Sequence, residues 1–140
     1  MYDKFENCIF DFSLERDPGD YWYDCAILEA ADILRGFGKN DWELLLKQLE
    51  FKSIFWKKRL VECLGELNVS QELEIILSVI NTSDEDLLVA CIDALRLLDL
   101  SKLGERKKEE LSLRVACLLT EASPPMKRVL ESFIEKLKNG

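Results

Sequence analysis

The chain has 140 residues, 48% hydrophobic and 33% charged, with a formal net charge of −8 and no histidine. Length and composition fit one soluble globular domain that holds its core without metal or disulfide, and they are too apolar for disorder. The acidity disfavours phosphate backbones, the missing histidine removes the commonest general base and most catalytic zinc sites, and no apolar run approaches the ~20 residues of a membrane span.

Residues 3–14 carry Phe5, Cys8, Ile9 and Phe12 at helical spacing, which predicts a first helix, although alternation over 8–12 also suits a short strand. Residues 15–20 form a turn punctuated by Pro18-Gly19. A second helix is expected over 21–35, stopped by Gly36 and Gly38. Asn40 with Glu43 resembles a capping box opening a helix over 41–50. Ser53 opens 54–67 and Ser70 opens 71–81, while Thr82 with Glu85, or Ser83 with Asp86, restarts the chain into 84–99. Gly104 precedes a helix over 105–121 with Leu111, Val115, Leu118 and Leu119 as its stripe. Pro124-Pro125 marks the start of the last helix, 125–138. The expectation is eight helices in four antiparallel pairs, forming a single domain over 1–140.

Within 41–100 the pattern repeats. Shifted by 31 positions, Leu45, Leu46 and Leu49 fall on Ile76, Leu77 and Ile80. Leu60, Val61, Cys63 and Leu64 fall likewise on Cys91, Ile92, Ala94 and Leu95. A fixed period of this size marks a solenoid, in which one helical hairpin cannot bury its apolar face alone. The second helix of each pair resembles that of HEAT-like repeats. Trp56-Lys57 stands at the motif's apolar–basic pair, Leu60-Val61 at the next apolar pair, and Cys63-Leu64-Gly65-Glu66-Leu67 at its Ala-Leu-Gly-x-Leu ending. Asp84 takes the motif's aspartate, and Ala94-Leu95-Arg96 and Ile33-Leu34-Arg35 repeat the ending. The sequence departs from the motif with Ser53 and Tyr23 at the aspartate position and Arg35 and Arg96 at the glycine. The resemblance implies an all-α, short HEAT-like α-solenoid of about four helix pairs. It implies nothing about activity.

Cys8, Cys25, Cys63, Cys91 and Cys117 are odd in number and lack a CxxC pair. They are expected to be free, buried thiols in a reducing compartment, which together with the absence of a signal peptide places the protein in the cytoplasm. No catalytic, metal-binding or cofactor residues are expected. Glycine-rich phosphate loops are missing, and no carboxylate pair stands out from the general acidity.

Binding is the remaining chemistry. The first 50 residues hold 12 of the 27 acidic groups and only 5 of the 19 basic ones, so the charge is lopsided towards a basic partner. Two groups of residues are candidates for contact. Asp32, Glu62 and Asp93 occupy equivalent repeat positions, with Glu131 as a looser fourth, and should form an acidic rail along the concave surface; the plain alternative is a solvated polar face. Asp17, Asp20, Tyr21, Trp22 and Asp24 crowd one turn and a helix start beside Tyr23. Three consecutive aromatics cannot all face inward, so at least one should serve as a surface anchor; acids favouring a helix N-terminus and rings capping the stack explain the cluster equally well. Finally, a small, acidic, all-helical chain with an aromatic-rich first third looks like the immunity proteins of bacterial polymorphic toxin and contact-dependent inhibition systems. That resemblance implies a non-enzymatic inhibitor that blocks a basic toxin domain, such as a nuclease, and binds neither nucleic acid nor membrane. A cytosolic scaffold or adaptor is the alternative, and a carboxylate-using helical-repeat enzyme a more distant one.

Overall fold

In the computed structural model, which describes residues 1–101 and 103–139, every regular element is helical. Helix α1 (Tyr2–Phe10) ends in a 3-10 turn, Asp11–Ser13, so the strand alternative for this segment falls away. A π-helical turn, Trp22–Ala26, leads into α2 (Ile27–Arg35), and α3 (Lys39–Gln48) ends in a second 3-10 turn, Leu49–Phe51. Then follow α4 (Ile54–Glu62), α5 (Gln71–Val79), α6 (Glu85–Leu95), α7 (Glu105–Leu119) and α8 (Pro124–Asn139). No helix among the described residues is long and apolar enough to cross a membrane.

The repeat positions are where the core lies. Leu60, Val61, Cys63 and Leu64 are buried, and so are their counterparts Cys91, Ile92, Ala94 and Leu95. Each large side chain among them adds about 1.5–3 kcal/mol by leaving water. Helix α1 packs on α2, α3 and α4; α4 packs on α6; α6 packs on α5 and α8; and α7 packs on α8. One continuous core results, running from Phe5 and Ile9 to Phe133 and Leu137.

Several boundaries differ from the sequence reading for local reasons. Ser53 does cap α4, its Oγ accepting the Trp56 N–H at 3.1 Å, yet the helix stops at Glu62 and not near 67. Gly65 adopts φ +121° and Asn68 φ +60°, turning the chain away from helix. A Cβ on Gly65 would lie 2.9 Å from Leu97 Cδ1, so the turn also depends on close packing against the residue beyond α6. The buried Glu72 carboxylate then organises the loop, accepting from the N–H groups of Gly65 (2.5 Å), Leu67 (3.2 Å) and Val69 (3.3 Å). Helix α3 starts at Lys39, with the Gly38 N–H donating to Asp41 Oδ2 at 2.9 Å in place of the Asn40–Glu43 box. Asp84, and neither Thr82 nor Ser83, caps α6 by accepting the Leu87 N–H at 2.9 Å.

Candidate functional site

Side chains from α2, α4, α6 and α8 line one groove of about 720 Å³. Its apolar surface includes Leu28 and Ala31 of α2, Val61 of α4, Ala90 of α6, Leu97 just beyond α6, and Val129 of α8. Leu28 and Leu97 are 65% and 55% exposed, so two large aliphatic side chains stand in water at this groove. Four carboxylates (Glu62, Glu66, Asp86 and Asp93) and two cations (Arg35 and Lys58) complete the lining.

The expected acidic rail has a different electrostatic character from the one its residues imply. Asp32 accepts from Arg35 at 2.7 Å, Asp93 from Arg96 at 2.6 Å, and Glu62 pairs with Arg59 at 3.0 Å. Asp32, Glu62 and Asp93 therefore each have an arginine three residues away, the spacing that brings side chains together on a helical surface. Glu131, the looser fourth position, is exposed and without an ion pair among the described residues. The three closely matched positions carry ion pairs and form no bare negative track. Glu62 and Asp93 line the groove, whereas Asp32 is outside its lining.

Glu62 is drawn inward. Besides Arg59, it accepts from Trp22 Nε1 at 3.2 Å and from the Tyr23 hydroxyl at 2.8 Å. Arg59 is wholly buried; its Nη1 approaches the Tyr23 oxygen at 3.4 Å and its Nη2 donates to the Arg16 carbonyl at 3.0 Å. The basic run Lys57-Lys58-Arg59 thus sends one member into the interior. The segment after α1 covers it there.

The N-terminal cluster divides by exposure. Trp22 is 0% exposed and packs against Phe12 with ring centroids 5.3 Å apart, so it is a core residue and is withdrawn from the surface anchors expected of the sequence. Tyr21 is 64% exposed and Tyr23 49%. Tyr21 stacks on Phe12 at 6.2 Å, and Tyr23 reaches the groove. The π turn adds a residue where an α-helix would have none, rotating α2 relative to the aromatic triplet by about 100°. Burial, followed by the hydrogen bond to Glu62, raises the pKa of the Tyr23 hydroxyl and keeps it protonated as a donor. Asp17 is used in the turn, accepting the Gly19 N–H at 2.9 Å, where Gly19 takes φ +86°. Asp20, Asp24 and Glu66 are exposed and receive no hydrogen bond or ion pair from the described residues. Glu66 lines the groove, as do Tyr23 and Ile27, whereas Asp20 and Asp24 are outside its lining.

Burial pushes the Cys91 thiol up to about 12 and raises Cys63 still further, which keeps both from acting as thiolates near neutral pH. Cys25 and Cys117 are exposed, contrary to the expectation that all five are buried; all five are free. Among the described residues no group of three or more potential ligands is placed to hold a metal ion. Comparison with family models, with curated proteins and with solved structures finds no match.

Proposed function

We propose that this chain is a HEAT-like helical-repeat protein that binds another protein without catalysing a reaction, and that its partner is the basic domain of a bacterial toxin, such as a nuclease, whose active site it covers. The observation that carries the binding reading is the groove between α2, α4, α6 and α8, where exposed Leu28 and Leu97 stand among the carboxylates of Glu62, Glu66, Asp86 and Asp93. Apolar area of that kind in water is the usual substrate of a protein interface, and a polar rim is its usual border. The repeat reading is supported by two regularities. The second helix of each expected pair contributes to the same groove, and the equivalent residues Asp32, Glu62 and Asp93 each carry an arginine partner three positions away.

The toxin reading rests on charge and on the resemblance to small acidic helical immunity proteins. An active site that handles RNA or DNA gathers lysines and arginines, and the unpaired Asp20, Asp24 and Glu66 offer them carboxylates without competing internal donors. Tyr23, held by Glu62 and half exposed, gives the apolar surface a rigid aromatic edge. The test is purification from the native host with identification of the associated chain, followed by titration of that chain's activity. A basic nuclease silenced stoichiometrically is the expected result. A partner whose activity is untouched by saturating amounts of this protein removes the toxin reading and leaves an adaptor. Reversing charge with Asp20→Lys/Asp24→Lys should slow association by about tenfold and flatten its salt dependence, with an unchanged circular dichroism spectrum. Identical association kinetics for the variant would take these residues out of the interface.

A further inference from the structure

We propose that residues 14–19 form a lid over the Arg59 guanidinium, latched by Arg16, that lifts and recloses while the helices beneath it stay folded. The motion belongs to the free chain and needs no partner, so it goes beyond the binding reading above and does not depend on it.

Little holds this segment down. Residues 14–19 belong to no helix and none of them is buried, Leu14 being 61% exposed. Among the described residues, the hydrogen bonds and ion pairs that join the segment to α4 and to the start of α6 are made by Arg16 alone. Its guanidinium donates to Asp84 Oδ2 at 3.0 Å and to Asp86, and lies 5.3 Å from the centre of the Phe55 ring. Its carbonyl accepts from Arg59 Nη2 at 3.0 Å. The Arg16 side chain is half exposed, and ion pairs in that setting contribute little and are screened by salt. Lifting the segment therefore draws no buried side chain of its own out of the core, whereas unfolding α4 or α6 exposes the core itself.

The group beneath can do without its cover. Arg59 is 0% exposed, yet its carboxylate partner Glu62 sits on the same helix, and Tyr23 approaches from the π turn. Both stay in place when the lid is up. The Nε–H of a guanidinium shares an edge with Nη2, which here is the nitrogen bonded to the Arg16 carbonyl, and the Arg59 Nε finds no acceptor among the described residues. Water that reaches this edge replaces the carbonyl and also accepts from Nε, which offsets part of the broken latch. A buried donor without an acceptor, under a segment fastened through one side chain, is the observation that carries the lid. Tyr23, Glu62 and Asp86 also line the groove, so each opening takes the guanidinium from a carboxylate on the groove wall.

Solvent exchange of the Arg59 Nε–H, followed by heteronuclear NMR on the full chain, reads the opening directly. The Nε–H of Arg106, whose side chain is 95% exposed, sets the unprotected rate. Arg59 should exchange at least about tenfold more slowly than Arg106, but with a protection factor at least about tenfold below those of the Leu60 and Cys91 backbone amides, which report unfolding of α4 and α6. Urea below the unfolding transition should speed the amides and leave Arg59 nearly unchanged, because lifting the lid exposes little surface. Gly65→Ala, which weakens the fold away from the lid, should likewise speed the amides and spare Arg59. Arg16→Gln should speed Arg59 by about tenfold, the combined worth of two surface ion pairs and a ring contact. Sodium chloride at about 0.5 M should speed it in the wild type and hardly at all in that variant. Arg59 exchange that climbs with urea in step with the amides, that matches Arg106, or that is the same in Arg16→Gln overturns the proposal. A wild-type rate indifferent to salt removes the ionic latch, and the urea and salt measurements need no substitution that could disturb folding.

Discussion

Arg59 shows how far a single side chain can depart from its sequence context. Preceded by two lysines, it reads as part of a solvated basic run, yet it is fully buried against Glu62, Tyr23 and the Arg16 carbonyl. The cause is tertiary: the segment leading from α1 to α2 folds over α4, and nothing in the local pattern announces that. Arg59→Met should destabilise the fold by about 3–5 kcal/mol, because it strands Glu62 in a partly buried site. Urea unfolding measures this, and adding Glu62→Leu should restore part of the loss. A second residue-scale effect concerns acid. Arg16 donates to Asp84 at 3.0 Å and also to Asp86, and that guanidinium, with the Leu87 N–H, holds the Asp84 carboxyl below its usual range. A carboxylate depressed in the fold adds stability that is complete above its unfolded pKa of about 3.9 and disappears as pH falls through the lower folded value. Arg16→Gln should therefore flatten the fall in urea midpoint below about pH 4. If the acid limb is the same in both proteins, the Arg16 contact contributes nothing to it.

At the scale of elements, the sequence was most readable where a helix start depends on one short side chain or a proline. Ser53 and Pro124 mark their helices within a residue of the expected place. It was least readable where the decisive group is distant in sequence or where several candidates are adjacent. Asp84 beats Thr82 and Ser83 because its carboxylate reaches the Leu87 N–H, while Thr82 Oγ1 is occupied by the Asp84 N–H at 3.2 Å. The end of α4 was missed because the periodicity of 60–67 continues past Glu62 while the backbone does not: Leu64 and Leu67 are buried from a loop built around Glu72. Glu72→Ala should cost about 1–3 kcal/mol for each N–H left without a partner. Hydrogen exchange at Gly65, Leu67 and Val69 should accelerate together, and protection that survives at all three would show that the carboxylate is not what orders the loop. Gly65→Ala tests the other constraint. A positive φ and a 2.9 Å approach to Leu97 should together lower stability by about 1–3 kcal/mol, seen as a lower melting temperature.

For the whole molecule, the all-helical class and the buried repeat positions were legible, since both follow from apolar spacing that the packing then uses. The electrostatics of the groove were only half legible. Asp32, Glu62 and Asp93 stood out as a row, but their neutralisation was hidden in plain view: Arg35 and Arg96 stand where the HEAT-like motif has glycine, three positions after a carboxylate. Asp20, Asp24 and Glu66 are among the exposed carboxylates without an ion pair in the described residues, so association with the proposed basic partner should weaken as salt rises. Trp22 was misplaced because a triplet of aromatics gives no clue to which member a π turn will direct inward.

The Arg16 clasp has a consequence for how the polypeptide reaches this shape. The guanidinium lies 5.3 Å from the centre of the Phe55 ring and grips two carboxylates 68 and 70 residues downstream. During synthesis the opening stretch must therefore wait until more than half the chain has left the ribosome before it can be fastened, and until then α4 stands with its arginine uncovered. Severing the backbone between Leu14 and Tyr21 would free the roof of the interior, with Arg59 beneath it, and proteases directed at that span should melt the molecule as a unit and not merely trim it.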